Sequence, residues 1–180
     1  MPIRVHGGEA RGRRLQSPKG IRPSQGLVKE AIFNVLAGRI EGARVLDLYA
    51  GSGALGIEAL SRGAAWTTFV ERDARHAAIL RRNLEALDFS RRARVVTADV
   101  RRFAAGPEAT GFDIVLADPP YGDASLSEAL ASLAPGLKRD ALVVVEHSAG
   151  GPPLTVGGLP KRRSRRYGDT GVTLLQAAAG

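Results

Sequence analysis

The 180-residue sequence contains no cysteine, a single tryptophan and a single methionine, and its aromatic residues make up only 5% of the chain. The absence of cysteine excludes disulfides, thiolate metal ligands and cysteine nucleophiles. The three histidines, His6, His76 and His147, lie far apart in the sequence. We therefore predict no metal site, because the sequence contains neither thiolates nor clustered imidazoles.

Long apolar runs are also missing. No stretch approaches the roughly 20 apolar residues that span a bilayer, and the first residues lack the apolar centre of a signal peptide. We therefore expect a cytoplasmic protein that makes no membrane contact. At roughly 100 to 200 residues per domain, the length indicates one domain, and we expect a monomer.

Positive charge is abundant, and it is concentrated at the two ends of the chain. Lysine and arginine total 26 against 18 acidic residues, a net charge of +8. Residues 1–29 carry seven cations and one anion, net +6, and residues 151–180 carry five cations and one anion, net +4, which leaves −2 for the rest. Such basic ends indicate a polyanionic partner.

Apolar segments alternate with segments of helical periodicity through the middle of the chain. A first helix is predicted to start at Pro23-Ser24 and to end at Gly38. The predicted strands are 45–49, 66–70, 95–97, 112–117 and 141–146, and the further predicted helices are 54–62, 74–87, 100–105 and 125–133. Continuously apolar strands separated by helices are typical of an α/β fold with a parallel sheet covered on both faces. A basic loop, 161–166, is predicted before a last strand, 172–175, which should pair antiparallel because no helix precedes it.

A glycine turn follows the first of these apolar strands. Gly51, Gly53 and Gly56 fit the pattern G-x-G-x-x-G, whose usual ligand is a dinucleotide with its pyrophosphate at a helix N-terminus. Asp47 precedes the turn, and its carboxylate would repel a pyrophosphate but attract a cation. S-adenosylmethionine carries an ammonium and a sulfonium and no phosphate, so it fits better, while an NAD-linked oxidoreductase remains an alternative.

Two further carboxylates follow the next two predicted strands. Glu71 lies 24 residues after Asp47, close to the spacing of about 20 residues at which an acid binds ribose hydroxyls. Asp99 is placed to accept a hydrogen bond from an adenine amino group. Each carboxylate could instead stabilise a helix N-terminus, but three in succession behind a glycine turn favour a nucleoside site.

The tetrapeptide Asp118-Pro119-Pro120-Tyr121 ends the fourth apolar strand. Two prolines hold the chain extended at the sheet edge where such folds bind ligands. The amino group of a base is a poor nucleophile, because its lone pair is delocalised into the ring. The Asp118 carboxylate and the Pro119 carbonyl can accept its N–H groups while Tyr121 stacks on the base, which predicts transfer of a methyl group to an amine.

Two other functions share these motifs. A DNA adenine-N6 methylase would use the same proline loop, although 180 residues leave no room for a separate target-recognition domain. A non-catalytic RNA-binding protein could also keep the fold.

The chain as a whole resembles the RsmD family of 16S ribosomal RNA guanine-N2 methyltransferases, from about residue 3 to about residue 175. The Asp-Pro-Pro-Tyr loop is shared with many amino-directed methyltransferases. The matching residues are Arg4, Gly7-Gly8, Arg11-Gly12, Arg22-Pro23-Ser24, Phe33-Asn34, Leu46 to Gly56, Glu58 to Gly63, Glu71-Arg72-Asp73, Asn83-Leu84 and Tyr167-Gly168-Asp169-Thr170.

The resemblance implies a Rossmann-like class I S-adenosylmethionine-dependent methyltransferase acting on 16S ribosomal RNA in an assembling or assembled small ribosomal subunit. It implies a cofactor site of Ser24, Asp47, Tyr49, Ala50, Gly51, Gly53, Glu71, Arg72, Asp99 and Asp118. The implied catalytic residues are Asp118, Pro119 and Tyr121, and the implied RNA contacts are Arg4, Arg11, Arg13, Arg22, Arg163 and Arg166.

The resemblance also implies a division of labour along the single domain. Residues 1–40 would form a basic extension and helix that contacts RNA and closes over the cofactor, and residues 41–180 the methyltransferase domain. The family pattern around this helix is roughly R-P-T-x-D-R-V-R-E. Here Ser24 replaces the threonine, Gly26 the aspartate, Leu27 the first arginine and Lys29 the second.

Overall fold

A computed structural model describes residues 2–19 and 26–179 of the chain. The strands are β1 (Ile3–Arg4), β2 (Arg14–Leu15), β3 (Arg44–Leu48), β4 (Trp66–Glu71), β5 (Ala93–Thr97), β6 (Ile114–Ala117), β7 (Leu142–Ser148), β8 (Lys161–Tyr167) and β9 (Thr170–Gln176). The helices are α1 (Gly26–Val35), α2 (Ala54–Ser61), α3 (Ala74–Ala86), α4 (Val100–Ala104) and α5 (Ser125–Leu133), with 3-10 turns at Ser90–Arg92 and Ala134–Gly136.

One seven-stranded sheet, in the order β5-β4-β3-β6-β7-β9-β8, organises the molecule. The strands from β5 to β7 are all parallel, whereas β9 runs antiparallel to β7 and β8 antiparallel to β9. The order of the strands reverses at β3. Strands β4 and β5 follow one another on one side of β3, and the chain then returns to place β6 and β7 on its other side. Ligands of such sheets bind at this switch point, outside the carboxyl ends of the strands.

The two faces of the sheet carry separate apolar cores, because side chains alternate along each strand. Val45 of β3 packs into a core with apolar residues of α1, α2 and α3, and this core also contains Val5 and Leu15 of the N-terminal segment. Leu46 packs into the second core, with apolar residues of α4 and α5. Helices therefore cover both faces, as predicted for the mostly parallel sheet.

The C-terminal part of the sheet corrects one expectation. The antiparallel last strand is confirmed as β9, but residues 161–166, predicted to be a loop, form most of strand β8. Five cations in six positions conceal the period of two that a half-buried strand shows, and β8 is an edge strand with every residue from Lys161 to Arg166 exposed. Pairing with β9, rather than burial, makes this segment a strand.

The start predicted for the first helix, at Pro23-Ser24, lies outside the described residues. From Gly26 onward, α1 buries Val28, Ile32 and Phe33 and leaves Leu27 exposed. In the described ranges, 2–19 and 26–179, no helix has the length and apolar character needed to cross a membrane.

Candidate functional site

Four acidic residues converge at the carboxyl edge of the parallel strands. Asp47 lies in β3, Glu71 ends β4, Asp99 follows β5 and Asp118 follows β6. The register sets Leu48 of β3 beside Val70 on one side and Ala117 on the other. Across the strand order the acids therefore follow one another as Asp99, Glu71, Asp47 and Asp118, on strands that lie about 4.8 Å apart.

The glycine turn between β3 and α2 requires glycine at two positions. Gly53 has φ +83°, and a Cβ there would lie 2.1 Å from Cδ1 of Leu80. At Gly56, a Cβ would lie 2.3 Å from Cε1 of Phe69 and 2.9 Å from Oδ2 of Asp47. These glycines let α2 approach β4 and α3 closely, which brings the first amides of α2 beside the acidic edge.

Asp47 is the most deeply buried of the four acids, with 2% of its surface exposed. Its Oδ2 accepts a hydrogen bond from the Gly56 N–H at 2.9 Å. Burial raises the pKa of Asp47 to about 8, and the negative charges of Asp118 and Glu71 add to that shift. The Asp118 carboxylate is therefore close enough to Asp47 to repel its negative charge. A bound cation would relieve the repulsion among the three carboxylates.

Glu71 fixes the glycine turn with both carboxylate oxygens. Its Oε2 accepts from the Gly51 N–H at 2.8 Å and its Oε1 from the Asp73 N–H at 2.8 Å. Each carboxylate oxygen has a second acceptor position, so these bonds leave capacity for ribose hydroxyls. The neighbouring Arg72 is exposed.

Asp99 is the N-cap of α4. Its Oδ1 accepts from the Arg101 backbone N–H at 2.9 Å and from the Arg101 Nε at 3.3 Å. Partial burial would raise the pKa of Asp99, but these hydrogen bonds outweigh it and lower the pKa. The capping role that the sequence offered as the alternative is present, and the contact with adenine stays a prediction.

The Asp118-Pro119-Pro120-Tyr121 loop follows β6 at the same edge. Asp118 and Pro119 are partly buried, whereas 69% of the Tyr121 surface is exposed. The ring of Tyr121 is therefore available for stacking on a planar ligand. The loop closes in a turn in which the Asp123 N–H donates to the Pro120 carbonyl at 3.2 Å.

A hydrogen-bond chain ties the end of this loop to the end of β3, a link that sequence reasoning missed. Ser125 donates its hydroxyl to Oδ1 of Asp123, and the Tyr49 hydroxyl lies 2.8 Å from the Ser125 Oγ. Because the Ser125 proton is directed to Asp123, Tyr49 donates to Ser125. Burial and the charges of Asp123 and Asp99 raise the pKa of Tyr49 to about 12, which keeps this donor protonated.

Glu58, noted in the sequence only as part of the family pattern, anchors the N-terminal segment from inside α2. Its fully buried carboxylate accepts from the backbone N–H groups of His6 at 2.9 Å and Gly7 at 2.7 Å. It also pairs with Lys29 at 3.2 Å and with Arg62 at 2.8 Å. Lys29 is thus buried and serves as a structural partner of Glu58. The sequence signal for a buried ion pair was a glutamate within the otherwise mostly apolar helix α2.

Asn83, on the buried side of α3, joins the N-terminal segment to the glycine turn. Its amide exchanges two hydrogen bonds of 2.9 Å with the backbone of Gln16 and donates a third, of 3.0 Å, to the Ser52 carbonyl. Gln16 lies shortly before the stretch that the resemblance assigns to cofactor closure. Asn83 therefore fixes the entry to that stretch relative to the turn.

The basic residues predicted to contact RNA fall into separate groups. Arg4, Arg11 and Arg13 are exposed on the N-terminal segment, where Arg4 donates to the Gly12 carbonyl and Arg13 to the Ala86 carbonyl. Arg163 and Arg166 are exposed on β8. The sixth predicted RNA contact, Arg22, lies outside the described part of the chain, as does Ser24, which was predicted to bind the cofactor. Within the described ranges, no three histidine or acidic side chains are arranged to hold a metal ion.

Comparison with known proteins places this edge in a family context. Residues 3–176 match the family described as Conserved hypothetical protein 95. The chain is 40% identical over 181 residues to the "Putative rRNA methyltransferase YlbH" of Bacillus subtilis, covering 97% of this chain and 98% of that protein. It is 38% identical over 182 residues to "Ribosomal RNA small subunit methyltransferase D" of Escherichia coli, covering 98% and 91%.

A solved structure shows the same architecture. The "Putative methyltransferase yhhF" of Escherichia coli superposes with a TM-score of 0.89 at 38% identity, and the match covers all of both chains. Likeness of sequence and of fold thus extends over the acidic edge, the glycine turn and β8 alike. The chain belongs to the Conserved hypothetical protein 95 family, that is, the RsmD family of methyltransferases with the Rossmann-like class I fold.

Proposed function

We propose that this protein transfers a methyl group from S-adenosylmethionine to the N2 amine of a guanine in 16S ribosomal RNA. The relatives named above as ribosomal RNA methyltransferases support the substrate class. The observation that carries the proposal is the mutually repelling cluster of buried Asp47, buried Glu71 and partly buried Asp118 beside a glycine turn. Such a cluster suits a positively charged nucleoside better than a pyrophosphate.

The residues present fit the cofactor group by group. Asp47 would face its ammonium, Glu71 its ribose and Asp99 its adenine, while Tyr49, Ala50, Gly51, Gly53 and Arg72 would line the remainder. The cofactor supplies a methyl group on a positively charged sulfur when it is bound. A Cβ at Gly53 would lie 2.1 Å from Cδ1 of Leu80, so glycine is needed there to keep the turn that would hold the cofactor packed against α3.

The proline loop would prepare the amine. The Asp118 carboxylate and the Pro119 carbonyl accept hydrogen bonds from its two N–H groups, which localises the nitrogen lone pair toward the methyl group, and Tyr121 stacks on the guanine ring. The amine loses one of its two protons to solvent when it gains the methyl group. Transfer then needs an in-line approach with the reacting atoms about 3 to 3.5 Å apart. The guanine leaves its stack at a cost of a few kcal/mol, offset by phosphate contacts from the basic residues.

We also propose that the substrate is the RNA of an assembling or assembled small ribosomal subunit, modified in the cytoplasm by a monomer. Arg4, Arg11, Arg13 and Arg22 on the N-terminal segment and Arg163 and Arg166 on β8 would contact its phosphates. Ser24 would belong to the stretch that closes over the cofactor.

The test is transfer of radiolabelled methyl groups to immature small ribosomal particles and to naked DNA, followed by mass-spectrometric mapping of modified guanines. The wild-type protein should label N2 of a guanine in the RNA. Asp118→Ala should abolish labelling while S-adenosylhomocysteine still binds in calorimetry, and Glu85→Gln, at an exposed position of α3, serves as the control. Label in DNA alone would contradict the proposal, as would binding of NAD in place of the cofactor.

A further inference from the structure

Strand β8 presents an unusual concentration of cations along the open edge of the large sheet. It pairs with β9 on one side and is the terminal strand on the other. Five of the six residues from Lys161 to Arg166 are cationic, and all six are exposed. An open strand edge also leaves backbone N–H and C=O groups unpaired, so this edge offers hydrogen-bond donors, acceptors and positive charge together.

The charge on β8 is not neutralised within the described part of the chain. Some surface cations elsewhere pair with carboxylates, as Arg92 does with Glu9 and Lys138 with Asp113. Among residues 2–19 and 26–179, no such pair involves the cations of β8; Arg166 donates instead to the Gly168 carbonyl at 2.7 Å. The strip is therefore free to meet an external polyanion.

These cations lie on both faces of the sheet. Arg163 and Arg165 are opposite Leu174 and Val172, and together with Ala31 of α1 they line a shallow groove on the α1 face. The other face carries Lys161, which is opposite Leu175 of the second core. Arg166 lies on this face too, because it directly follows Arg165 and side chains alternate along a strand. Arg162 occupies a bulge between the paired positions.

Strand β8 also leads toward the candidate site. Its last residue, Tyr167, pairs with Thr170 of β9, and Thr170 pairs with Ser148 at the carboxyl end of β7. Arg166 is thus at the same edge of the sheet as Asp118, whereas Lys161 is at the opposite edge. A seven-residue strand at about 3.3 Å per residue makes a strip roughly 20 Å long that ends at the same edge of the sheet as the site, with β7 and β9 between β8 and β6.

Charged side chains on an edge strand can also serve to prevent sheets from pairing edge to edge. That role does not require cations on both faces along the whole strand. A nucleic-acid groove does, because its two phosphate backbones lie on opposite sides of whatever enters it. The minor groove of an RNA helix is wide and shallow and displays 2′-hydroxyls that both donate and accept, which suits an open strand edge.

We propose that the edge of β8 enters the minor groove of an RNA helix flanking the methylated guanine. Arg163 and Arg165 contact one phosphate backbone, Lys161 and Arg166 contact the other, and unpaired backbone groups of β8 contact 2′-hydroxyls. This inference rests on the proposed function, which supplies the RNA substrate. It adds that a double-helical segment next to the target base is part of what the enzyme recognises.

The experiment measures binding of a hairpin RNA, and of an unstructured RNA of equal length, over a range of salt concentrations. Three double variants are compared: R163Q/R165Q, K161Q/R166Q, and the control R91Q/R139Q. Arg91 and Arg139 are exposed cations near the amino ends of β5 and β7, away from the site edge. Thermal unfolding and calorimetry with S-adenosylhomocysteine confirm that each variant is folded.

On the hairpin RNA, the plot of log affinity against log salt has a negative slope, and each β8 variant should make it less steep by about two, since each phosphate contact contributes about 0.9. The control variant should leave the slope unchanged. Loss with only one β8 variant would place the RNA on a single face and overturn the groove. Equal losses on unstructured RNA, or none with either variant, would also overturn it. If the proposed function itself failed, the wild-type protein would methylate no RNA at all; if only this inference failed, methylation would persist.

Discussion

Asp118 raises the pKa of Asp47 through its negative charge, although Asp47 lies in β3 and Asp118, 71 positions later in the sequence, follows β6. Burial contributes most to the pKa of about 8, and Glu71 adds a third negative charge. At neutral pH the ligand-free protein therefore holds a proton on Asp47 for much of the time. A cationic ligand favours the ionised form, so binding and proton release are linked.

We predict that binding of S-adenosylmethionine releases up to one proton between about pH 6 and pH 7.5. The affinity should rise with pH and level off above about pH 8, where Asp47 is already ionised in the free protein. Calorimetry in phosphate and in Tris measures the effect, because these buffers have different heats of ionisation. Asp47→Asn should remove the proton release; equal proton release by the variant would contradict the assignment to Asp47.

Stability provides a control on the same group. Because the folded pKa is raised above the ordinary value of 3.8, the stability contributed by protonated Asp47 is present below about pH 4 and is lost as the pH rises to about 8. The free energy of unfolding of the ligand-free protein should therefore decline over that window more steeply than that of Asp47→Asn. Parallel pH profiles for the two proteins would contradict this expectation.

The parts of the site that could be predicted are those that adjoin apolar strands. Asp47 lies within a predicted strand, Glu71 and Asp118 directly follow two others, and parallel strands end at a common edge. The link from Tyr49 through Ser125 to Asp123 could not be predicted, since Tyr49 and Ser125 are 76 positions apart and Ser125 belongs to no motif. Long-range pairs of this kind depend on how loops fold back on the edge.

The N-terminal segment and β8 show two further limits. In the sequence, Lys29 was noted only because it replaces an arginine of the family pattern. In the structure its side chain is 3% exposed and paired with Glu58. Its partner is 29 positions away, so no local spacing revealed it. In β8 the cations removed the apolar alternation on which strand prediction depends, and pairing with β9 determined the structure instead.

The Tyr49–Ser125–Asp123 chain should affect the chemical step more than cofactor binding. Tyr49→Phe removes the donor to Ser125 and loosens the end of the Asp118 loop, so we expect kcat to fall severalfold with a smaller change in the Kd of S-adenosylhomocysteine. Ser125→Ala breaks the same chain and should have a similar effect. The double variant should be no worse than either single one; additive losses in kcat would show that the two hydroxyls act separately.

Asn83 offers a test of the link between the N-terminal segment and the glycine turn. Asn83→Ala leaves the buried Ser52 carbonyl and the Gln16 backbone groups without their hydrogen-bond partner. Each buried polar group left unpaired lowers the free energy of unfolding by about 1–3 kcal/mol. We expect a lower free energy of unfolding and weaker binding of S-adenosylhomocysteine. Arg82→Ala, at the exposed neighbouring position of α3, should change neither; unchanged cofactor affinity in Asn83→Ala would contradict the link.

The Glu58–Lys29 pair makes the docking of the N-terminal segment depend on pH. Burial would raise the pKa of Glu58, but hydrogen bonds from the His6 N–H and the nearby cations outweigh it and lower the pKa. The stability this group contributes is therefore present above its unfolded pKa and is lost as the pH falls through the folded pKa. Denaturation profiles below about pH 5 should show this loss in the wild-type protein.

A double-mutant cycle separates the ion pair from packing. Glu58→Gln leaves Lys29 buried without a counter-charge, so we expect a loss of about 3–5 kcal/mol in the free energy of unfolding. Lys29→Met should cost less, because Glu58 keeps Arg62 and the N–H groups of His6 and Gly7. With the charge of Lys29 removed, Glu58→Gln should cost less than in the wild-type protein, which urea denaturation measures; equal costs in both backgrounds would show that the pair contributes no coupling.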